Sequence, residues 1–114
     1  MKNNHIQYIE MYATDLEVIK SFYSETFGWS FTDYGEGYTA FDDSGVFGGF
    51  EKVTEVSQGG ALIILYHTDL RVAEEAIVKN GGTISKGIFS FPGGRRFHFR
   101  DPSGNELAVW SDAE

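Results

Sequence analysis

Glu10 and His98 are the pair of residues in this chain that the sequence singles out for acid–base chemistry. A carboxylate inside an apolar cleft has a raised pKa unless it is paired, and beside an imidazole it can orient that ring as a general base. Such a pair would move a proton without a metal. The same carboxylate can instead serve as a structural partner of Arg96 or Arg100, which share a strand face with His98 in the run "GRRFHFR". His67 directly precedes the second "TDL", where a surface or capping role is expected. His5 lies near the beginning of the chain, where ends are usually mobile. There is no cysteine, which removes disulfides, thiolate nucleophiles and zinc–thiolate sites together.

The elements that must position these residues come in a repeated order. "IQYIEMYA" at 6–13 suits a strand, with Ile9 and Met11 on one side and Tyr8, Glu10 and Tyr12 on the other. "TDLE" then opens a helix, Thr14 and Glu17 forming a capping box. Leu16, Ile19, Phe22, Tyr23 and Phe27 follow at helical spacing, and Gly28 stands at the C-cap. Strands are predicted over about 29–34, 37–42 and 46–52, turned by "GEG" and "DDSG". The second half repeats this. "ALIILYH" at 61–67 is a strand, and "TDLRVAEEAIVKNGG" is a helix burying Leu70, Ala73, Ala76 and Ile77. Strands near 83–89, 94–100 and 105–111 close the half.

"YATDL" at 12–16 and "YHTDL" at 66–70 mark the same strand-to-helix junction, and "DDSG" at 42–45 answers "DPSG" at 101–104. The second offset is larger, which places a few inserted residues in "GIFSFPGG". The expected fold is α+β: two tandem βαβββ units, about 6–52 and 61–111, in one domain over 1–114. Paired units of this kind can enclose a cleft between curved mixed sheets, with helices on the convex backs.

Composition limits the partners. At 41% hydrophobic and 16% aromatic residues, the chain can pack a core. No apolar run approaches the roughly 20 residues of a membrane span. Gln7 and Glu10 interrupt the only apolar stretch near the beginning, so a cytoplasmic location is expected and no membrane partner. A net charge of −8 argues against nucleic acid, which needs a positive stripe to release counterions.

The segments "YATDLEVIKSFYSETFGW" at 12–29 and "FRDPSGNELAVW" at 99–110 resemble the opening and the closing hairpin of the vicinal oxygen chelate superfamily. That superfamily contains glyoxalases, bleomycin- and fosfomycin-resistance proteins and extradiol dioxygenases. Within it the chain looks most like small bacterial glyoxalase-related proteins of undefined activity. The resemblance implies a metal site built from the first and last strand of each unit. Counting from Asp15, Gly45, Asp69 and Gly104 places those ligand positions at Tyr8, Gly49, Leu62 and Ala108. Leucine, alanine and glycine offer no donor and a lone phenol is a poor one, so neither metal nor cofactor is expected. Realignment by three residues would make His5 a first ligand, still without partners. The resemblance also turns His98, three residues before Asp101, toward the cavity.

The expected cleft lining is therefore Tyr8, Glu10, Tyr12 and Gly49 from the first unit. Leu62, Ile64, Tyr66, Arg96, His98, Arg100, Glu106, Ala108 and Trp110 come from the second. An aromatic pocket with a few polar groups is the anatomy of a small-molecule site, although each aromatic could equally fill core or a dimer contact. Three functions follow. One is metal-free capture of a small organic molecule, with the negative charge favouring a cationic planar ligand, as in bleomycin-resistance proteins. The second is a lyase or isomerase of glyoxalase type, metal-dependent or using Glu10 and His98 alone. The third is a dimeric scaffold. A homodimer is expected because the family often pairs chains and "WSFTDYGEGYTAF" would expose many aromatics.

Overall fold

The computed structural model describes residues 2–113. It divides into two compact units, one ending at Val56 and the other starting at Ser57. The first contains β1 (Tyr8–Ala13), α1 (Leu16–Phe27), β2 (Ser30–Asp33), β3 (Tyr38–Asp42) and β4 (Phe47–Lys52). The second contains β5 (Ile63–Tyr66), α2 (Leu70–Lys79), β6 (Thr83–Phe91), β7 (Gly94–Arg100) and β8 (Glu106–Ser111). Each unit forms a four-stranded sheet, ordered β1-β4-β3-β2 and β5-β8-β7-β6. The first and last strand of each unit run parallel and the other neighbours antiparallel. The duplicated βαβββ order read from "TDL" and the turn motifs is thus the order of the chain.

The repeated "TDL" works through its aspartate. Asp15 has extended φ and ψ, and its Oδ1 accepts from the amides of Glu17 at 3.0 Å and Val18 at 3.2 Å. Asp69 does the same for Arg71 and Val72. The cap is therefore Asp15, and the expected Thr14 cap is displaced by one residue. A carboxylate there satisfies two orphan amides and also meets the positive end of the helix dipole. His67 adds to the second junction, its Nδ1 accepting from the Asp69 amide at 2.8 Å. That is the capping role its position suggested. Gly28 ends α1 in the left-handed conformation, φ 77°, donating back to Ser24 and Tyr23.

In the first unit α1 packs Ile19, Phe22 and Tyr23 against the sheet. Trp29 stacks on Tyr23 at 4.6 Å and meets Phe41 at 4.7 Å, while Phe50 lies 5.3 Å from Tyr23. Trp29 and Phe41 are thus buried core, which corrects the expectation that "WSFTDYGEGYTAF" leaves its aromatics exposed; Tyr34 alone of its large aromatics is fully out. In the second unit Leu70, Ala73 and Ile77 of α2 share the buried layer with Phe97, Phe99, Leu107 and Val109, and Ala76 is only half-buried. The extra residues of "GIFSFPGG" do not form a loop up to Phe91. β6 absorbs them with register shifts between Ile84 and Lys86 and between Lys86 and Phe89.

Gly94 opens β7 against the end of β8. A Cβ at that position would overlap the Ser111 carbonyl oxygen and lie 3.1 Å from its carbon. Backbone cannot retreat as the end of a side chain can. Gly94→Ala should therefore lower stability by about 1–3 kcal/mol. Gly87→Ala, which meets open space in the neighbouring strand, should leave it unchanged. Denaturant midpoints of the two variants check this.

Candidate functional site

Each sheet has one face under its helix and one face the helix leaves bare, and the residues singled out from the sequence lie on the bare faces. In the first unit the register places Tyr8 opposite Phe47, Glu10 opposite Gly49 and Tyr12 opposite Glu51. Ala40 lies opposite Gly49 and Tyr38 opposite Glu51 on the next strand. Tyr8, Glu10 and Tyr12 are exposed, while Ile9 and Met11 turn inward, as the alternation predicted.

Tyr38 is the residue on this face that sequence reasoning missed. Its hydroxyl lies 2.6 Å from that of Tyr8, and its ring covers Gly49. A Cβ at residue 49 would overlap the Tyr38 hydroxyl and come within 2.6 Å of Cζ. The Tyr38 phenol is held well above its ordinary value by burial first, then by its hydrogen bond to Tyr8, with the Glu10 carboxylate adding to both. It stays a neutral hydrogen-bonding group at any physiological pH. The signal in the sequence was strand parity in "YTAFD" combined with a glycine on the facing strand; neither half suffices alone.

In the second unit the register builds rows across four strands. Phe89, Arg96, Trp110 and Tyr66 form one row; Lys86, His98, Ala108 and Ile64 form the next; Arg100 and Glu106 follow. Leu62 stands just before β5, which starts at Ile63 rather than residue 61. Tyr66 and Trp110 meet edge to face at 5.3 Å, and Phe91 lies 6.5 Å from Trp110. The Tyr66 hydroxyl donates to Asp112 at 2.6 Å, which raises its pKa.

The polar groups of this face are paired both diagonally and by direct opposition. His98 Nδ1 lies 3.1 Å from Glu106 Oε2, across Ala108. Ser85 donates to the same oxygen at 3.3 Å, and Arg100 Nη2 lies 3.8 Å from Oε1. Arg100 Nη1 also donates to Gln58 at 2.8 Å. The Glu106 carboxyl is held below its ordinary value, chiefly by the His98 hydrogen bond and against the opposing effect of desolvation. Within its unit, then, His98 takes Glu106 as its carboxylate. Glu10, the carboxylate that the sequence sets beside His98, belongs to the other unit.

The positions that resemblance marks for metal donors do not fit an ion. Tyr8 is engaged by Tyr38, Gly49 has no side chain and is covered, Leu62 is aliphatic, and Ala108 is fully buried. Among the described residues no three of histidine, aspartate or glutamate gather into a metal-binding group. His5 is exposed in the segment before β1. A shallow surface depression of about 450 Å³ opens between Ile6, Gln7, Asp42, Asp43, Gly45, Val46 and Phe47. None of the residues predicted for the site lines it.

The depressed Glu106 pKa carries a sign. Its contribution to stability is present above the ordinary value of 4.5 and is lost as pH falls through the lower folded-state value. The stability advantage of the native chain over Glu106→Gln should therefore shrink on acidification below about pH 4.5. Melting temperatures of the two proteins between pH 3 and 7, as an approximate range, provide the measurement.

Comparison with known proteins agrees with this architecture. The sequence profile of the Glyoxalase/Bleomycin resistance protein/Dioxygenase superfamily matches residues 5–109. A "Glyoxylase-like domain-containing protein" of Didymella fabae is 35% identical over 124 residues, covering 94% of this chain and 93% of that protein. The crystal structure of a glyoxalase-related enzyme from Fulvimarina pelagi is similar at a TM-score of 0.79 and 20% identity, covering 95% of this chain and 88% of that one. That of lactoylglutathione lyase from Agrobacterium tumefaciens is similar at a TM-score of 0.73 and 16% identity, covering 97% and 96%. Identities this low speak for the fold alone. By profile, by a relative matched over nearly its whole length and by the duplicated βαβββ order, the chain belongs to the Glyoxalase/Bleomycin resistance protein/Dioxygenase superfamily.

Proposed function

We propose that this protein binds a small organic molecule on the bare sheet face of its second unit, without the metal ion of the superfamily's metalloenzymes. The observation that carries the reading is the row Phe89–Arg96–Trp110–Tyr66, with Phe91 beside it. Aromatic area with a few polar groups, on a face that no helix covers, is how small-molecule sites are built. The four non-donor residues at the projected metal positions support the second half. A ligand here is held by stacking, hydrogen bonds and charge.

Thermal-shift screening of the full chain with naphthalene-sized anionic, neutral and cationic compounds tests the proposal. At least one class should raise the melting temperature, and Trp110→Ala should abolish the rise. Silence from all three classes would sink it. Adding Ni²⁺ or Zn²⁺ should not change any rise that is seen.

A second reading, a metal-free lyase or isomerase, has its own support. With Nδ1 donating to Glu106, His98 Nε2 is an acceptor, and it is buried with no hydrogen-bond partner. An imidazole oriented by a carboxylate in this way can serve as a general base, with Glu106 positioning it. Such a base would exchange the α-protons of a small hydroxyketone with solvent. Proton NMR of dihydroxyacetone in D₂O should then show exchange that Glu106→Gln slows about 10²-fold or more. An exchange rate no faster than buffer would end this reading and leave binding as the function.

A further inference from the structure

The charge of the chain is unevenly spread. Up to Val56 there are 3 basic and 10 acidic residues, and from Ser57 onward 6 basic and 7 acidic. Lys86, Arg95, Arg96 and Arg100 make up most of the basic residues of the second unit, and all of them lie on β6 and β7. The expectation of a cationic ligand came from the net charge of the whole chain. The face that carries the aromatic row has a different local charge.

The cations of that face fall into two groups. Arg100 is occupied by Gln58, the Gly104 carbonyl and Glu106. Arg96 and Lys86 are not. Among the described residues of the second unit neither has a carboxylate at ion-pair distance, and the side-chain contacts of both are with rings. Lys86 Nζ lies 4.4 Å from the centroid of Phe89, and Arg96 Cζ lies 5.4 Å from Phe89 and 5.7 Å from Phe91. Two positive groups therefore lie against one phenylalanine ring. The Arg96 Nε is buried and has no hydrogen-bond partner. Like charges brought together beside apolar rings repel, and a buried N–H left unpaired is costly. An anion held by both cations would offset their charge.

On these grounds we propose that Arg96 and Lys86 form an anion-recognition point, and that the ligand of this face is an organic carboxylate with an apolar or aromatic body. The inference rests on the reading that this face holds a ligand. Phe89 and Phe91 stiffen the arginine stem and so fix the guanidinium fork, which suits a two-oxygen carboxylate better than a point charge does. Trp110 is the cross-strand neighbour of Arg96 and Tyr66 that of Trp110. The carboxylate would thus sit on Arg96 while its body lies along Trp110 and Tyr66.

The test uses three probes of one shape on the uniformly ¹⁵N-labelled full chain: 1-naphthoate, naphthalene-1-carboxamide and 1-naphthylmethylammonium. Amide shifts in β6, β7 and around Trp110 report where each binds. We expect 1-naphthoate to bind most tightly there, with affinity falling as salt rises. Arg96→Met and Lys86→Met keep the stems on Phe89 while removing the charges. Arg96→Met should weaken 1-naphthoate about tenfold or more, leaving the carboxamide unchanged, and Lys86→Met should weaken it in the same direction. Arg96→Lys should recover part of the loss. If the carboxamide or the ammonium probe binds this face as tightly as the naphthoate, or if Arg96→Met leaves naphthoate affinity unchanged, the anion assignment fails while the ligand face survives. If no probe shifts these amides, both fail together.

Discussion

At the centre of each sheet's bare face stands a residue with almost no side chain, and the chemistry of the face is organised around it. Gly49 lies between Ala40 and Glu10 across the first sheet, and Ala108 between His98 and Ile64 across the second. These are the places where the fold's metalloenzymes are expected to offer a donor. At both positions neighbouring side chains approach the gap. Tyr38 lays its ring on Gly49, in space that a single Cβ would occupy. On the second sheet Glu106, two residues before Ala108, reaches diagonally to His98 at 3.1 Å. The carboxylate is retained near the centre, but it answers an imidazole instead of an ion.

This substitution changes what can be recognised. A metal ion polarises any oxygen that reaches it and dominates the local field. Hydrogen bonds and side-chain charges act over shorter reach and depend more on geometry. On the proposed reading, a phenol pair on one face and a His–Glu pair beside aromatic rings on the other would select by shape and by the sign of charge. The two units have diverged accordingly: Glu10 corresponds in the repeat to Ile64, while Tyr12 corresponds to Tyr66. The face with no carboxylate at this position of its first strand is the one that carries Arg96 and Lys86.

Much of this was legible in the sequence, and the reason is periodicity. The alternation in "YIEMY" and in "GRRFHFR" assigned faces correctly, because a strand offers only two. The repeated "TDL" located both helices, because an aspartate that accepts two amides fixes a helix start to within a residue. The aromatic run "WSFTDYGEGYTAF" misled, since composition does not say which rings meet α1; Trp29 and Phe41 are core. Tyr38, Lys86 and Phe89 went unnoticed for a related reason. Their importance lies in cross-strand register, and in β6 two register shifts break the count that would have placed Lys86 opposite His98.

The net charge of −8 shows the same limit in electrostatics. A sum over the chain governs long-range steering and solubility. At contact distance, beyond a Debye length of about 8 Å from most other charges, a ligand is governed by the few groups it touches. On the second unit's face those groups are a guanidinium and an ammonium set against Phe89, with the nearest carboxylate already engaged by His98 and Arg100. An acidic protein can therefore present a face whose unpaired charge is positive. On the proposed reading, the register of β6 against β7, more than composition, would set which ligand that face suits.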